Sequence, residues 1–337
     1  MADKNKKSNN FNMPLLAVAP MMDWTDIHCR FFFRMFTRRA VLFTEMVTTG
    51  ALLRGDAARF LRHHAEERPV VLQLGGSDPA DVGRAARAGI EAGFDGIDLN
   101  VGCPSDRVQS GCFGAALMRS PQLVADCAAA MVEAAGADRV SVKCRIGVDD
   151  QDPEVVLPLF LETVSVAGVK SFAIHARKAW LQGLSPKENR EVPPLDHDLV
   201  VRMKAAFPHL RIAINGGITS LDEAEGFLAR GLDGVMIGRA AYHGPAMLGA
   251  VDRRIFGEDG PDVTPEAAVA EMLPYIEAEM TKGVRLHQIT RHMLGAFHGR
   301  PGARAWRRAL SETAHLKGAG PETVEAALAL VEVRDAA

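Results

Sequence analysis

No apolar run in this chain reaches the roughly 20 residues that a membrane-spanning helix requires, so no membrane partner is expected. Cysteine is scarce. The five present (Cys29, Cys103, Cys112, Cys127, Cys144) are odd in number and form no CxxC pair. That argues against a disulfide framework and a zinc finger, and for a reducing cytoplasm with no metal. Neither sign of charge dominates, since 39 Lys and Arg against 42 Asp and Glu leave a net −3. The chain as a whole therefore does not advertise a nucleic-acid partner. The segment Met1–Asn10 lacks the apolar core of a signal peptide, and residues 1–12 read as a disordered tail. No GxGxxG follows the first apolar run, which speaks against an open dinucleotide-binding sheet, and no short repeat recurs.

What is present is a regular alternation. Short apolar runs at Leu15–Met21, Val41–Met46, Val70–Leu74, Gly96–Asn100, Val140–Arg145, Ser171–Ala176, Arg211–Gly217 and Gly234–Gly238 read as strands. Ala-, Leu-, Glu- and Arg-rich stretches lie between them. Asp78 followed by Pro79 supplies a helix cap and first turn, and Ser120-Pro121 and Ser220 repeat the device. Strand–helix alternation means parallel βα units. Eight of them predict an α/β fold, a (β/α)8 TIM barrel over residues 13–256. A Gly-, Pro- and Asp-bearing linker at 257–265 then leads to helical stretches at Ala267–Lys282, Leu286–Phe297, Gly302–His315 and Glu322–Val333. These predict a small helical bundle domain over 266–337.

Barrel enzymes place their chemistry at the C-terminal ends of the strands. There the sequence sets Ala19-Pro20-Met21-Met22, Gln73, Asn100 to Ser105, Lys143 and Arg145, His175-Ala176-Arg177, Asn215-Gly216-Gly217 and Gly238-Arg239. The glycine-rich endings of strands seven and eight suit a phosphate, with Arg239 able to add a bidentate contact; ordinary tight turns are the plain alternative. Lys143 in an otherwise buried strand calls for an anion such as a reduced flavin, unless it snorkels out of the mouth. Gln73 can donate to and accept from a flavin edge or simply cap its strand. His175 serves either a phosphate or ribityl group or the core. Cys103, in a Gly-Cys-Pro turn, should be partly exposed, and a thiol titrating near 8.5 can donate a proton; the alternative is a small buried residue. That alternative is the reading for Cys29, Cys127 and Cys144, and Cys112 receives no role.

From Lys282 to Arg308 there are seven Lys and Arg and no acid, together with His287, His292 and His298. Arg304 and Arg307 share a helix face, whereas Trp306 reads as core. Arg177, Lys178, Lys187 and Arg190 form a second basic cluster after strand six. Both clusters are either phosphate contacts or solvated faces.

Together these residues resemble the tRNA-dihydrouridine synthases, most closely the bacterial A-type branch, over nearly the whole chain. The resemblance lies in Ala19-Pro-Met-Met-Asp-Trp-Thr-Asp26, Leu99-Asn-Val-Gly-Cys-Pro-Ser105, His175-Ala-Arg177, Ile214-Asn-Gly-Gly217, Val235-Met-Ile-Gly-Arg239, Arg291-His-Met-Leu-Gly295 and Gly302-Ala-Arg-Ala-Trp-Arg-Arg308. It implies an FMN barrel reduced by NADPH, with hydride passing from flavin N5 to uridine C6 and a cysteine, here Cys103, protonating C5. It implies flavin contacts at Pro20, Met21, Met22, Gln73, Lys143, His175, Asn215, Gly216, Gly217, Gly238 and Arg239. Gly102, Lys187, Arg190, Arg304 and Arg307 become candidate tRNA contacts, and the implied targets are U20 and U20a of the D-loop. A uridine stacked in RNA must be extracted into a pocket, which a barrel mouth suits. No obligate protein partner is evident. Two rival readings remain: a dihydroorotate dehydrogenase type of flavin enzyme, separable by deleting residues 266–337, and a non-catalytic RNA-binding barrel.

Overall fold

The computed structural model describes residues 15–105 and 113–335; the expected tail at 1–12 and Cys112 lie outside the described residues. Eight strands, β1 (Leu16–Val18), β2 (Val41–Thr48), β3 (Val70–Gly75), β4 (Gly96–Val101), β5 (Val140–Arg145), β6 (Ser171–His175), β7 (Arg211–Asn215) and β8 (Gly234–Ile237), close into a parallel barrel in chain order. β8 returns to β1 with Ala17 opposite Met236. β1 ends short of Met21 because the Met21 carbonyl turns to accept the N–H groups of Trp24 and Thr25, at 3.1 and 2.9 Å. β2 runs beyond Met46 to Thr48, with an irregular register between Phe43 and Met46.

The strands are two-faced. Ile97, Leu99, Val101, Val140, Val142 and Cys144 point outward into the apolar layer shared with the surrounding helices. The alternate positions face the barrel axis. There Ala17, Ala19, Val41, Phe43, Val71, Ala173, Ala213 and Met236 make a separate apolar plug. The same inward register on β3 to β5 carries Gln73, Asp98, Asn100, Ser141, Lys143 and Arg145. Of the expected caps, Asp78 accepts from Asp81 N–H and Ser220 from Glu223 N–H, whereas Ser120 precedes its helix without a side-chain cap bond; Asp26 caps the first helix, accepting from His28 and Cys29 N–H.

After β8 the chain forms helices at Pro265–Thr281, Leu286–Thr290, Ala303–Thr313 and Pro321–Asp335. The second is much shorter than the predicted Leu286–Phe297. Beyond Thr290 tertiary contacts replace the helix. Arg291 and His292 turn onto the Asp26 carboxylate at 2.6 and 3.0 Å, and Gly295 packs on the His243 carbonyl, where a Cβ would lie 2.5 Å from the oxygen. These helices seal the barrel's first helix, Ile27–Phe36. Tyr275 stacks on Phe31 with ring centroids 3.8 Å apart, and its hydroxyl meets His28 Nδ1 at 2.6 Å. Deleting residues 266–337 would strip that apolar cover, so point substitutions are the cleaner test of the helices. Among the described residues no helix is long and apolar enough to cross a membrane, and no group of His, Cys, Asp or Glu is arranged to hold a metal ion.

Candidate active site

The loop after β4 is held from beneath. Asn100 Oδ1 accepts the backbone N–H groups of Gly102 and Cys103 at 3.1 and 2.9 Å. Asn100 Nδ2 donates to Gln73 Oε1 at 2.8 Å, Gln73 Nε2 donates to Asp98 Oδ2 at 2.8 Å, and Ser141 Oγ donates to Asp98 Oδ1 at 2.6 Å. One hydrogen-bonded chain thus joins the barrel axis to Cys103. Cys103 itself is half-buried, with Sγ 3.5 Å from Ser105 Oγ. Gln73 is 1% exposed with both amide ends engaged, which leaves one Nε2–H and the second lone pair of Oε1 for an outside partner. A simple strand-end cap is therefore not its role. Burial raises the Asp98 carboxyl, against the pull of Ser141, Gln73 and Lys143.

Above this chain the mouth is cationic. Lys143 is half-buried, and its ammonium has no hydrogen-bond or ion-pair partner among the described residues. Burial and then the neighbouring Arg145 push it below the ordinary lysine value, while Asp98 opposes them. Arg145, 4% exposed, donates to the carbonyls of Gly102, Lys178 and Asn189, each at 3.0 Å. It stitches the loop after β4 to the loop after β6. Burial, together with Arg145, Lys143, Arg177 and Arg190, keeps His175 well below the usual histidine range and hence neutral. Its Nδ1 is buried with no hydrogen-bond partner. Lys143, Arg145 and Arg190 all lie close enough to Cys103 to interact electrostatically.

The far side of the mouth is a backbone cradle. Gly216 and Gly217 hold φ of +107° and +76°. A Cβ on Gly216 would sit 3.1 Å from the His175 ring, and one on Gly217 would sit 2.4 Å from Leu195. Gly238 opens a short turn of helix beside Met21, whose sulfur would lie 3.8 Å from a Cβ at that glycine. Pro20 and Met21 are half-buried and Met22 is exposed. Asn215 points inward and spends Nδ2 on the Met236 carbonyl at 2.7 Å, so its amide braces β7 against β8. Arg239 pairs with Glu191 at 2.9 Å; a phosphate here would compete with that carboxylate.

The basic stretch near the C-terminus looks different in three dimensions. Lys282, Arg291, Arg300 and Arg308 pair with Glu279, Asp26, Glu266 and Glu312. Arg304 and Arg307 are exposed and carry no ion pair among the described residues. Lys187 and Arg190 are exposed on the loop after β6, whereas Arg177 and Lys178 are spent on backbone carbonyls. Trp306 is core, donating Nε1–H to the Met293 carbonyl at 2.9 Å. Cys29, Cys127 and Cys144 are buried, as small apolar residues would be. Sequence reasoning assigned no role to Asp98, Asn100 or Arg145. Their signal was there: Asp98-Leu-Asn100 and Ser141-Val-Lys143-Cys-Arg145 alternate with period two in otherwise apolar strands.

A closed parallel barrel whose mouth holds a half-exposed thiol, a lysine with no partner among the described residues and a neutral histidine defines a β/α-barrel enzyme. The chain belongs to the dihydrouridine synthase family, whose model (Dus) matches residues 17–332. It is 56% identical over 316 residues to the tRNA-dihydrouridine(20/20a) synthase of Escherichia coli K12, covering 94% of this chain and 91% of that protein. The protein of the same name from Vibrio parahaemolyticus is 56% identical, with 94% of this chain and 96% of that one covered. Among solved structures, the old yellow enzyme homologue from Zymomonas mobilis superposes with a TM-score of 0.53 at 14% identity, over 75% of this chain and 92% of that one. That likeness shows the barrel. Family membership displaces both rival readings, the dihydroorotate dehydrogenase and the non-catalytic barrel.

Proposed function

We propose that this protein reduces the C5–C6 bond of uridines 20 and 20a in the D-loop of tRNA, with FMN as bound flavin and NADPH as reductant. The relatives' shared name, tRNA-dihydrouridine(20/20a) synthase, supports the substrate and positions. The observation that carries the chemistry is the half-exposed Cys103 thiol, facing the cations of Lys143, Arg145 and Arg190.

The residues present fit a phosphorylated flavin. The unpaired Lys143 ammonium suits an anionic ring edge, the orphaned Nδ1 of His175 lacks a partner that a polar ligand atom would supply, and the Gly216–Gly217 cradle has no room for side chains. FMN, when bound, supplies the hydride, and NADPH restores it. The protein does the rest. Asn100 fixes the Cys103 loop through two N–H bonds, so that Sγ is held at the mouth. Cys103 gives its proton to C5 of the uracil ring, and the facing cations stabilise the sulfur's negative charge. Pro20, Met21, Met22, Gln73, Asn215, Gly238 and Arg239 complete the flavin's surroundings in this reading. Gly102, Lys187, Arg190, Arg304 and Arg307 meet the RNA, with the helices beyond residue 265 as its grip and the cytoplasm as the site of action.

Mass spectrometry of tRNA from a strain lacking this protein tests the reading. Uridine should replace dihydrouridine at the two positions, and return of the protein should restore it. Unchanged dihydrouridine at both would overturn the assignment. The purified protein should be yellow, with absorbance near roughly 370 and 450 nm.

A further inference from the structure

A cavity of about 670 Å³ opens beside the barrel mouth, within the size range of small-ligand sites. Its walls come from the loop after β1, the end of β2, the helix Ala57–Leu61 and the helix Leu286–Thr290. Much of its charged lining is already committed: Asp26 holds Arg291, Arg30 holds Glu67, and Arg62 holds Glu279. The polar groups left over are sorted by element. The barrel ends offer acceptors. The Asp23 carboxylate has no hydrogen bond or ion pair among the described residues, and Glu45 gives Oε1 to the Asp23 N–H at 2.5 Å while Oε2 stays free. The flanking helices offer a cation and further polar atoms. Among the described residues the Arg59 guanidinium makes no ion pair or hydrogen bond, only a ring contact 5.8 Å from the Phe60 centroid. His287 Nδ1 is buried without a partner, and Gln288 keeps its amide N–H groups. Phe60 adds a half-exposed aromatic face.

An occupant must therefore bring N–H donors at one end and negative charge at the other, around a planar body. We propose that the cavity holds a second nucleotide of the substrate RNA, a neighbour of the reduced uridine, with a base bearing an exocyclic amine turned toward Glu45 and Asp23 and its phosphate toward Arg59. The proposal rests on the tRNA reading above. Carboxylates only accept, and the pairing edge of uracil sets carbonyls on both sides of its one N–H. Guanine, adenine and cytosine each present an amino group instead. Flipping one nucleotide out of a stack unstacks its neighbours, and an aromatic face next to a cation is a usual stand-in for the lost stacking. The cavity thus selects the sequence beside the target, which the mouth itself does not read.

The test uses holoenzyme and tRNA transcripts in which the exocyclic amine of each nucleotide flanking the reduced uridine is removed singly, with inosine for guanosine or purine riboside for adenosine. For the wild type, one removal should raise KM about tenfold at unchanged kcat, the scale of a lost hydrogen bond to a charged group. Glu45→Gln should bind natural tRNA about tenfold more weakly and no longer distinguish that transcript. Asp23→Asn, at an exposed position, should lose the same discrimination and serves if Glu45→Gln does not fold. Equal costs for every amine removal in wild type and variants would overturn the proposal. A wild-type holoenzyme that leaves natural tRNA unreduced would instead remove the tRNA reading, and this proposal with it.

Discussion

Asn100 and Cys103 are locked together: the side-chain oxygen of the first accepts the backbone N–H of the second at 2.9 Å, and that of Gly102 at 3.1 Å. The Gly102-Cys103 turn is therefore shaped by Asn100, not by the cysteine side chain, whose sulfur meets only Ser105 Oγ among the described residues. Cys103→Ala should leave the fold and the flavin spectrum intact. It should cost about 10²–10⁴ in the rate of uridine reduction, the usual loss when a general acid is removed. Single-turnover reduction of tRNA by the pre-reduced variant measures this directly, and wild-type rates would strip Cys103 of its role.

Arg145 is the joint between two loops of the mouth. It is buried and satisfies three backbone carbonyls, those of Gly102, Lys178 and Asn189. A lysine has one point charge where arginine has a planar fork, so Arg145→Lys cannot reach all three. Loss of stability of about 2–4 kcal/mol is expected, from carbonyls left buried without donors. Urea unfolding followed by circular dichroism checks it. A denaturation midpoint equal to the wild type's would show that the loops stand without the joint.

The buried Lys143 ammonium costs the fold stability. Its pKa is depressed by burial, so the fold disfavours its charged form. Between the depressed value and the ordinary 10.5 the unfolded chain binds more protons than the folded one, so stability rises with pH through that window. Lys143→Met removes the penalty. The flavin-free variant should melt higher than the wild type at neutral pH, with the gap closing as pH approaches the ordinary lysine value. If Lys143 faces the flavin ring, as proposed, FMN should bind the variant more weakly, because that cation is gone. Melting curves across pH and a flavin titration read both effects, and a variant that loses stability at neutral pH while holding FMN as tightly would contradict them.

The barrel was legible because most strands are largely apolar runs and several helices open on a cap residue such as Asp78 or Ser220. The thiol at the mouth was legible because Gly-Cys-Pro cannot continue a strand. The short helix Leu286–Thr290 was not, since the ion pairs of Arg291 and His292 with Asp26 join positions remote in sequence. For the same reason the acid-free stretch from Lys282 to Arg308 overstated the free positive charge. Its local composition hid Glu279, Glu266, Glu312 and Asp26, which neutralise four of its cations. The inward polar column of Asp98, Asn100 and Arg145 was written in the period-two pattern of β4 and β5, but continuous burial of those strands masked it.

That neutralisation makes the behaviour of the remaining cations specific. Arg304 and Arg307 project from one face of the helix Ala303–Thr313, exposed and without ion pairs among the described residues, while Arg308 beside them is tied to Glu312. If the two free guanidinia meet RNA phosphates, each alanine substitution should weaken tRNA binding and reduce the slope of log affinity against log salt by about one. Arg308→Ala should change the slope less, because that charge is already shared. All three variants should keep the wild-type flavin spectrum, since Trp306, which anchors the helix through Met293, is untouched. Filter-binding or fluorescence titrations over a series of salt concentrations decide it: identical slopes for wild type, Arg304→Ala and Arg307→Ala would move the RNA contact away from this helix.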